Sequence, residues 1–190
     1  MGTQLDIVGS FVIAGLLLLA IFGTSASLTA TATQNALDIL AQENLSVVTE
    51  MILYDFHKIG YYPSHEPPDD FRILSMSPNG LRFRSDIDND GSIDTVSYSV
   101  GDTSEVSGTP NRKDFILYRL VGNEPRLGAA LGVTDFHLLY RDADDNVTVV
   151  PKDVRSIEVG LAVESPYAQD DLYPRAVWHT VVRPRNLALQ

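Results

Sequence analysis

The sequence predicts an α+β protein, in which a long hydrophobic N-terminal helix is followed by a β-rich head with antiparallel strands. Two observations predict this class. Residues 7–37 carry no charged side chain, and helix-compatible residues continue without proline to Lys58, the first Lys or Arg of the chain. Beyond Gly60 the pattern changes to short runs rich in β-branched and aromatic residues, separated by turn signals. We therefore place the helix at residues 1–59 and the head at residues 60–190.

The first part of the helix is hydrophobic on all sides. Residues 7–22 are almost entirely apolar, and the small neutral residues that follow extend the run to the roughly 20 residues that cross a bilayer. A cleavable signal peptide would need a basic stretch before this run, and an ordinary anchor is flanked by Lys or Arg; neither is present. We expect residues 5–28 to lie in a membrane or in the core of an assembly.

The second part of the helix, residues 29–59, is amphipathic. Apolar residues recur at steps of three to five, which matches the helical period, and acidic residues fall largely off this stripe. Gly60 and Pro63 predict the end of the helix. The helix would then run from about Gln4 to Ile59, roughly 80 Å, with any irregularity near Gly15 or Gly23. The stripe comprises Leu37, Leu40, Leu45, Val48, Met51, Ile52, Phe56 and Ile59.

Asp6 stands immediately before the uncharged run. A carboxylate near the first free N–H groups of a helix is favoured by the helix dipole, and this accounts for its position without any further role. An ionisable group at the start of an intramembrane helix also suits a pairing with a positive group on another subunit, such as a free α-amine. The two explanations are compatible.

Taken together, these features resemble the type IV pilin superfamily, including type II secretion pseudopilins. The resemblance rests on the uncharged helix with an acid before it, on D-F-H-K-I-G-Y-Y at 55–62 and on the β-rich C-terminal region. Residues 81–98 and the ending V-V-R-P-R-N-L at 181–187 are similar to minor pilins and J-type pseudopilins. The usual F-T-L-I-E opening is absent, and T-Q-L-D stands at 3–6.

The resemblance implies a pilin-like fold and self-association into a filament. Subunits of this family reside in the inner membrane before assembly. In the filament their N-terminal helices pack together in the core, and the β heads lie outside. In that family the acid at the fifth mature position neutralises a neighbour's N-terminal amine; Asp6 would be fifth if Met1 were removed. The residues expected to carry assembly are Asp6, Leu16, Leu17, Leu18, Leu19 and Phe22.

The head is predicted to form one β-rich domain. An Asn89-Asp90-Gly91 turn joins the runs 81–87 and 92–100 as a hairpin, and Ser77-Pro78-Asn79-Gly80 is a second turn signal. Residues 101–112 are polar and are expected to form a mobile surface loop. Further strands are predicted at 71–76, 115–121, 133–141, 147–150, 154–164 and 176–182.

The D-I-D-N-D-G-S-I-D run at 86–94 has a pattern with chemical content. Carboxylates at alternate positions followed by glycine match the first six positions of a calcium loop. The twelfth position is a serine and not the bidentate Glu of that loop, and the flanks are strands. An acid-rich hairpin turn, in which Asp, Asn and Gly are favoured by their backbone preferences, explains the same residues. The candidate Ca²⁺ ligands are Asp86, Asp88, Asp90, the Ser92 carbonyl and Asp94. The second acidic run, 142–146, is predicted to be only a turn.

Composition and motifs exclude several classes of function. The chain has no cysteine, so thiol catalysis and disulfides are ruled out. Its net charge of −11 disfavours binding to the phosphates of nucleic acid. No nucleophile elbow, metal-binding histidine pair or phosphate loop is present, so we do not expect an enzyme. The leading hypothesis is a structural filament subunit, exported to an extracellular filament. The alternatives are a minor pseudopilin of a periplasmic secretion apparatus and a membrane-anchored calcium-binding module.

Overall fold

A computed structural model describes residues 2–63, 72–122, 127–169 and 171–187; the side chains of 2, 4–6, 127 and 129–131 are not among those described. Within these described residues it has one long α-helix, α1 (Gly2–His57), and seven strands. The strands are β1 (Ile73–Ser77), β2 (Gly80–Ser85), β3 (Asp94–Val100), β4 (Phe115–Val121), β5 (Leu127–Arg141), β6 (Ser156–Glu164) and β7 (Arg175–Val182). The predicted α+β class is confirmed.

The seven strands form a single antiparallel sheet in chain order, β1 to β7. Each strand pairs with the strand that precedes and follows it in the sequence, which is a meander built from hairpins and short connections. By compactness the chain divides into two units, Met1–Leu37 and Asp38–Gln190. The helical residues after Leu37 therefore belong to the same unit as the sheet.

The core of the second unit lies between the sheet and the last turns of α1. Ile52 and Phe56 are fully buried, and the Phe56 ring makes edge-to-face contacts with Phe83 of β2 and Tyr98 of β3. The ring centroids are 6.2 and 5.4 Å apart, within the range in which aromatic pairs stabilise a core. The predicted apolar stripe thus faces the sheet near its C-terminal end, whereas at its N-terminal end Ala41 is buried and Leu40 is exposed.

The helix ends as the sequence predicts. Gly60 has a φ of +72°, the left-handed conformation that glycine adopts at helix C-termini. Its N–H donates to the Arg84 carbonyl, so the chain leaves the helix beside β2. The helix runs from Gly2 to His57 without a break, and no irregularity appears at Gly15 or Gly23.

Most predicted strands are confirmed with shifted ends, and two segments differ. β5 begins at Leu127, six residues before the expected start, because pairing with β4 extends it through a stretch of small residues. The predicted strand at 147–150 is wrong, since only Val147 makes a single bridge, to Arg141. The expected loop at 101–112 contains a short 3₁₀ helix, Thr103–Val106, whose start is capped by Asp102 and Glu105.

Candidate functional site

The first candidate site is the apolar segment, residues 7–37 of α1. Its large hydrophobic side chains are exposed, with Phe11 and Phe22 at 74% and 68% of their full area. Leu16, Leu17, Leu18 and Leu19, predicted to carry assembly, are exposed as well. By length and composition α1 is able to cross a membrane. Monomeric soluble proteins rarely expose an apolar surface of this extent, so the segment is a candidate for contact with lipid or with other protein.

Five hydroxyl groups of the apolar segment donate hydrogen bonds within the helix. Thr24 Oγ1 donates to the carbonyls of Ala20 and Ile21 at 3.0 and 2.9 Å. Four further hydroxyls each donate to a carbonyl three or four residues earlier. These donors are the side chains of Ser27, Thr29, Thr31 and Thr33. Because these five hydroxyls need no water, they are compatible with an apolar environment. The sequence pattern shows small polar residues here but not that their hydroxyls are bonded.

Asp6 was predicted to support assembly. The backbone of Asp6 is helical, but its side chain lies outside those that the structure describes. Both explanations of this residue, the helix dipole and the pairing with a neighbour's amine, therefore stay predictions.

The second candidate site is the acidic loop, residues 86–94, between β2 and β3. The structure brings Asp86, Asp88 and Asp94 together, with one carboxylate oxygen of each within 4.8 Å of the others. Asp90 is not part of this group; its Oδ1 accepts a hydrogen bond from the Ser92 N–H at 2.6 Å. A role for the Ser92 carbonyl stays a prediction.

Backbone N–H groups hold the three carboxylates in place. Asp86 Oδ2 accepts from Gly91 N at 3.1 Å, and Asp94 Oδ2 accepts from Ile87 N at 3.3 Å. Asp88 Oδ1 accepts from Asp90 N at 3.1 Å. The turn needs left-handed backbone at Gly91, with φ +89°. Each carboxylate therefore keeps one oxygen outside this hydrogen bonding.

The acidic loop is electrostatically crowded. Partial burial raises the pKa of Asp94, and repulsion from the Asp88, Asp90 and Asp86 carboxylates raises it further, against the hydrogen bond from Ile87. The loop's neighbour Lys58 places its Nζ 2.7 Å from the Ile87 carbonyl and 3.0 Å from Asn89 Oδ1. The Lys58 ammonium thus binds neutral oxygens of the loop.

The acidic turn at 142–146 behaves differently. Asp142 Oδ1 accepts from the N–H groups of both Asp144 and Asn146 at 2.9 Å, and Arg141 donates to the Asp145 carbonyl at 3.0 Å. These contacts are those of a hydrogen-bonded turn. Among the described residues it forms no cluster of three acidic side chains, in agreement with the predicted turn.

One polar cluster was not anticipated from the sequence. Asp55 of α1 is fully buried and accepts two hydrogen bonds from Arg119 of β4, at 2.6 and 3.0 Å. The Tyr98 hydroxyl of β3 donates to the same carboxylate at 2.5 Å. Burial and the Asp55 carboxylate raise the pKa of Tyr98 well above its ordinary range. One signal was available: Asp55 stands between Ile52 and Phe56 on the helix face predicted to be buried.

The Asp55–Arg119–Tyr98 cluster fastens the helix to the sheet. Its charges compensate one another, and its three side chains are hydrogen-bonded among themselves. We therefore assign it to stability and not to chemistry. This leaves the apolar segment and the acidic loop as the features that bear on function.

Comparison with known proteins adds nothing to these features: no protein-family model, curated protein or solved structure matches the chain. What the fold and the two sites define is a class, an α+β protein with a membrane-compatible N-terminal helix and a seven-stranded antiparallel head.

Proposed function

We propose that this chain is a structural subunit of a pilin-like helical filament, with its apolar segment in the filament core and its β head outside. The observation that carries the proposal is an apolar helix exposed on all sides that continues directly into a helix packed on a sheet. When one contact between neighbouring subunits is repeated along an axis and does not close into a ring, the product is a fibre.

The length of the uncharged stretch favours helix bundling over simple anchoring. Residues 7–37 span about 46 Å as a helix, whereas the hydrocarbon of a bilayer is about 30 Å thick. Leu28, near the far end, is still 69% exposed, and the hydroxyls around it are bonded inside the helix. A helix that only crossed a membrane would need less uncharged length than this.

Small residues in the same stretch also favour close helix packing. Residues 24–33 are Thr, Ser and Ala with one Leu. Small side chains let helix backbones approach closely in apolar surroundings, where dispersion contacts drive association. The same helix would hold the subunit in the inner membrane before assembly. The filament would then be extracellular or, for a pseudopilin of a secretion apparatus, a short periplasmic one.

A charge in the apolar segment tests the proposal. Leu17→Asp should abolish filaments, since an unpaired charge in a helix bundle costs several kcal/mol. Val149→Asp is the matched control, because Val149 is 84% exposed and lies in the head; it should assemble normally. Electron microscopy of cells and purified protein measures the outcome, and normal filaments from Leu17→Asp would overturn the proposal.

Cysteine cross-linking separates loss of assembly from loss of membrane insertion. The chain has no cysteine, so Leu17→Cys introduces a single thiol. In a contact that does not close into a ring, residue 17 of one subunit need not meet residue 17 of the next, so a bifunctional thiol cross-linker long enough to bridge the offset is used. It should join neighbouring subunits through residue 17 and leave Val149→Cys uncross-linked. A Leu17→Cys chain that stays monomeric in membranes and in purified protein would favour the alternative of a membrane-anchored module that does not assemble.

Asp6 has a separate test within the same assay. Asp6→Ala should lower filament yield if its carboxylate pairs with a neighbour's amine, and the urea midpoint of the head should not change. Assembly at the wild-type rate would leave the helix dipole as the sufficient explanation of this residue.

A further inference from the structure

The inference concerns the carboxylate of Asp86, at the start of the acidic loop. Asp86 is 1% exposed, and its Oδ1 is enclosed without a hydrogen-bond partner among the described residues. Its other oxygen accepts a hydrogen bond from the backbone N–H of Gly91. A buried carboxylate oxygen with no partner is costly, and such groups are normally paired with a charge or bound to a metal.

Two further carboxylates converge on Asp86. One oxygen of Asp86, of Asp88 and of Asp94 lie within 4.8 Å of one another. Two oxygens on one Ca²⁺ lie at most about 5 Å apart, twice the metal–oxygen distance. The spacing therefore admits Ca²⁺, and a set made only of oxygens is the set that hard cations prefer.

The nearest lysine does not take the place of a cation. Lys58 Nζ contacts the carbonyls of Asp86 and Ile87 and the amide oxygen of Asn89, at 3.4, 2.7 and 3.0 Å. It also lies over the rings of Tyr54 and Tyr61. Within the described part of the chain, no ion pair joins Lys58 to the three converging carboxylates, so their repulsion is left for another cation to relieve.

We propose that Asp86, Asp88 and Asp94 bind one Ca²⁺ ion, which neutralises the buried carboxylate and ties the two ends of the β2–β3 loop together. The proposal is independent of filament formation, since every contact it uses lies within one chain. Three carboxylates without the bidentate Glu of an EF-hand correspond to a weak site, in the range that suits extracellular calcium.

The ligand substitution to test is Asp88→Asn, because Asp88 is exposed and its loss should leave the head folded. Asp144→Asn, in the hydrogen-bonded turn at 142–146, removes the same charge from an exposed acidic turn and is the matched control. The full chain is used, in detergent micelles. Tb³⁺ replaces Ca²⁺ as a luminescent probe, excited through tyrosine; the Tyr54 hydroxyl donates to the Ile87 carbonyl inside the loop.

In the wild-type chain and in Asp144→Asn, bound Tb³⁺ should luminesce, and excess Ca²⁺ should displace the Tb³⁺ and remove the signal. Asp88→Asn should weaken the affinity for Tb³⁺ about tenfold or more. Calcium should raise the thermal midpoint of the first two proteins over that in EDTA, by mass action, and leave Asp88→Asn unchanged. Equal luminescence in the two variants, or a wild-type midpoint unaffected by calcium, would overturn the proposal and leave an acid-rich hairpin.

Discussion

The buried carboxylate of Asp55 offers the sharpest test of how the helix and the sheet are held together. Asp55→Ala removes the acceptor of two Arg119 hydrogen bonds and one Tyr98 hydrogen bond. Asp55 itself is fully buried, whereas the Arg119 side chain keeps 27% of its area exposed. The substitution therefore leaves a buried hydroxyl and a partly buried guanidinium without their partner.

The magnitude follows from these exposures. Removing one partner of a buried ion pair costs about 3–5 kcal/mol. Arg119 reaches water and regains part of its hydration, so the lower end of this range applies. The Tyr98 hydroxyl is buried, and leaving it without its acceptor adds to the loss of stability. We expect Asp55→Ala to lower the free energy of unfolding of the head by about 3 kcal/mol, a large part of the 5–15 kcal/mol typical of a domain.

Urea unfolding of the full chain in detergent micelles measures this free energy, with the fluorescence of Trp178, the sole tryptophan, as the probe. Glu50→Ala is the control, because Glu50 is an exposed acid on the same helix; its effect should stay within about 0.5 kcal/mol. Asp55→Ala combined with Arg119→Met should be less destabilised than the sum of the single changes, since neither charge is left alone. A cost below about 1 kcal/mol for Asp55→Ala, or simple additivity of the two changes, would refute the assignment of this cluster to stability.

Two further predictions concern the head. Burial and Asp55 raise the pKa of Tyr98, and burial raises that of Tyr140. Both stay protonated in the folded chain above about pH 10, where tyrosines of the unfolded chain ionise, so stability is full below that pH and falls above it by about 1.4 kcal/mol per pH unit for each tyrosine. Tyr98→Phe should make this fall shallower in urea unfolding between pH 9 and 11, and an unchanged slope would contradict the expectation. Gly132→Ala should cost about 2–3 kcal/mol, because Gly132 has φ +77° and an added Cβ would lie 2.7 Å from the Glu164 carbonyl oxygen. Gly108→Ala, which meets no atom within 4 Å, should be near neutral in the same assay, and equal effects would show that the strain argument is wrong.

Patterns that lie within a few residues of one another predicted the helix and the hairpins. The uncharged run and the 3.6-residue stripe located α1 to within two residues at each end, because helical hydrogen bonds and helix faces are local. The turn at Asn89-Asp90-Gly91 joined β2 to β3 for the same reason, with left-handed backbone at Asn89 and Gly91. The exposure of the apolar segment also follows from composition, since it has apolar residues on every side.

Features that depend on partners far along the chain were decided only by the tertiary structure. Residues 147–150 have strong β propensity yet form no strand beyond the single bridge from Val147 to Arg141, while the weakly β-forming start of β5 is held by its pairing with β4. Asp55 and Arg119 are 64 residues apart, and nothing local indicates that they meet. Within the acidic loop, the sequence indicated five candidate ligands, but only the tertiary structure buried Asp86 and left Asp90 outside the group of converging carboxylates. Burial and long-range pairing are properties of the assembled core, and for this reason the chain's composition alone did not reveal them.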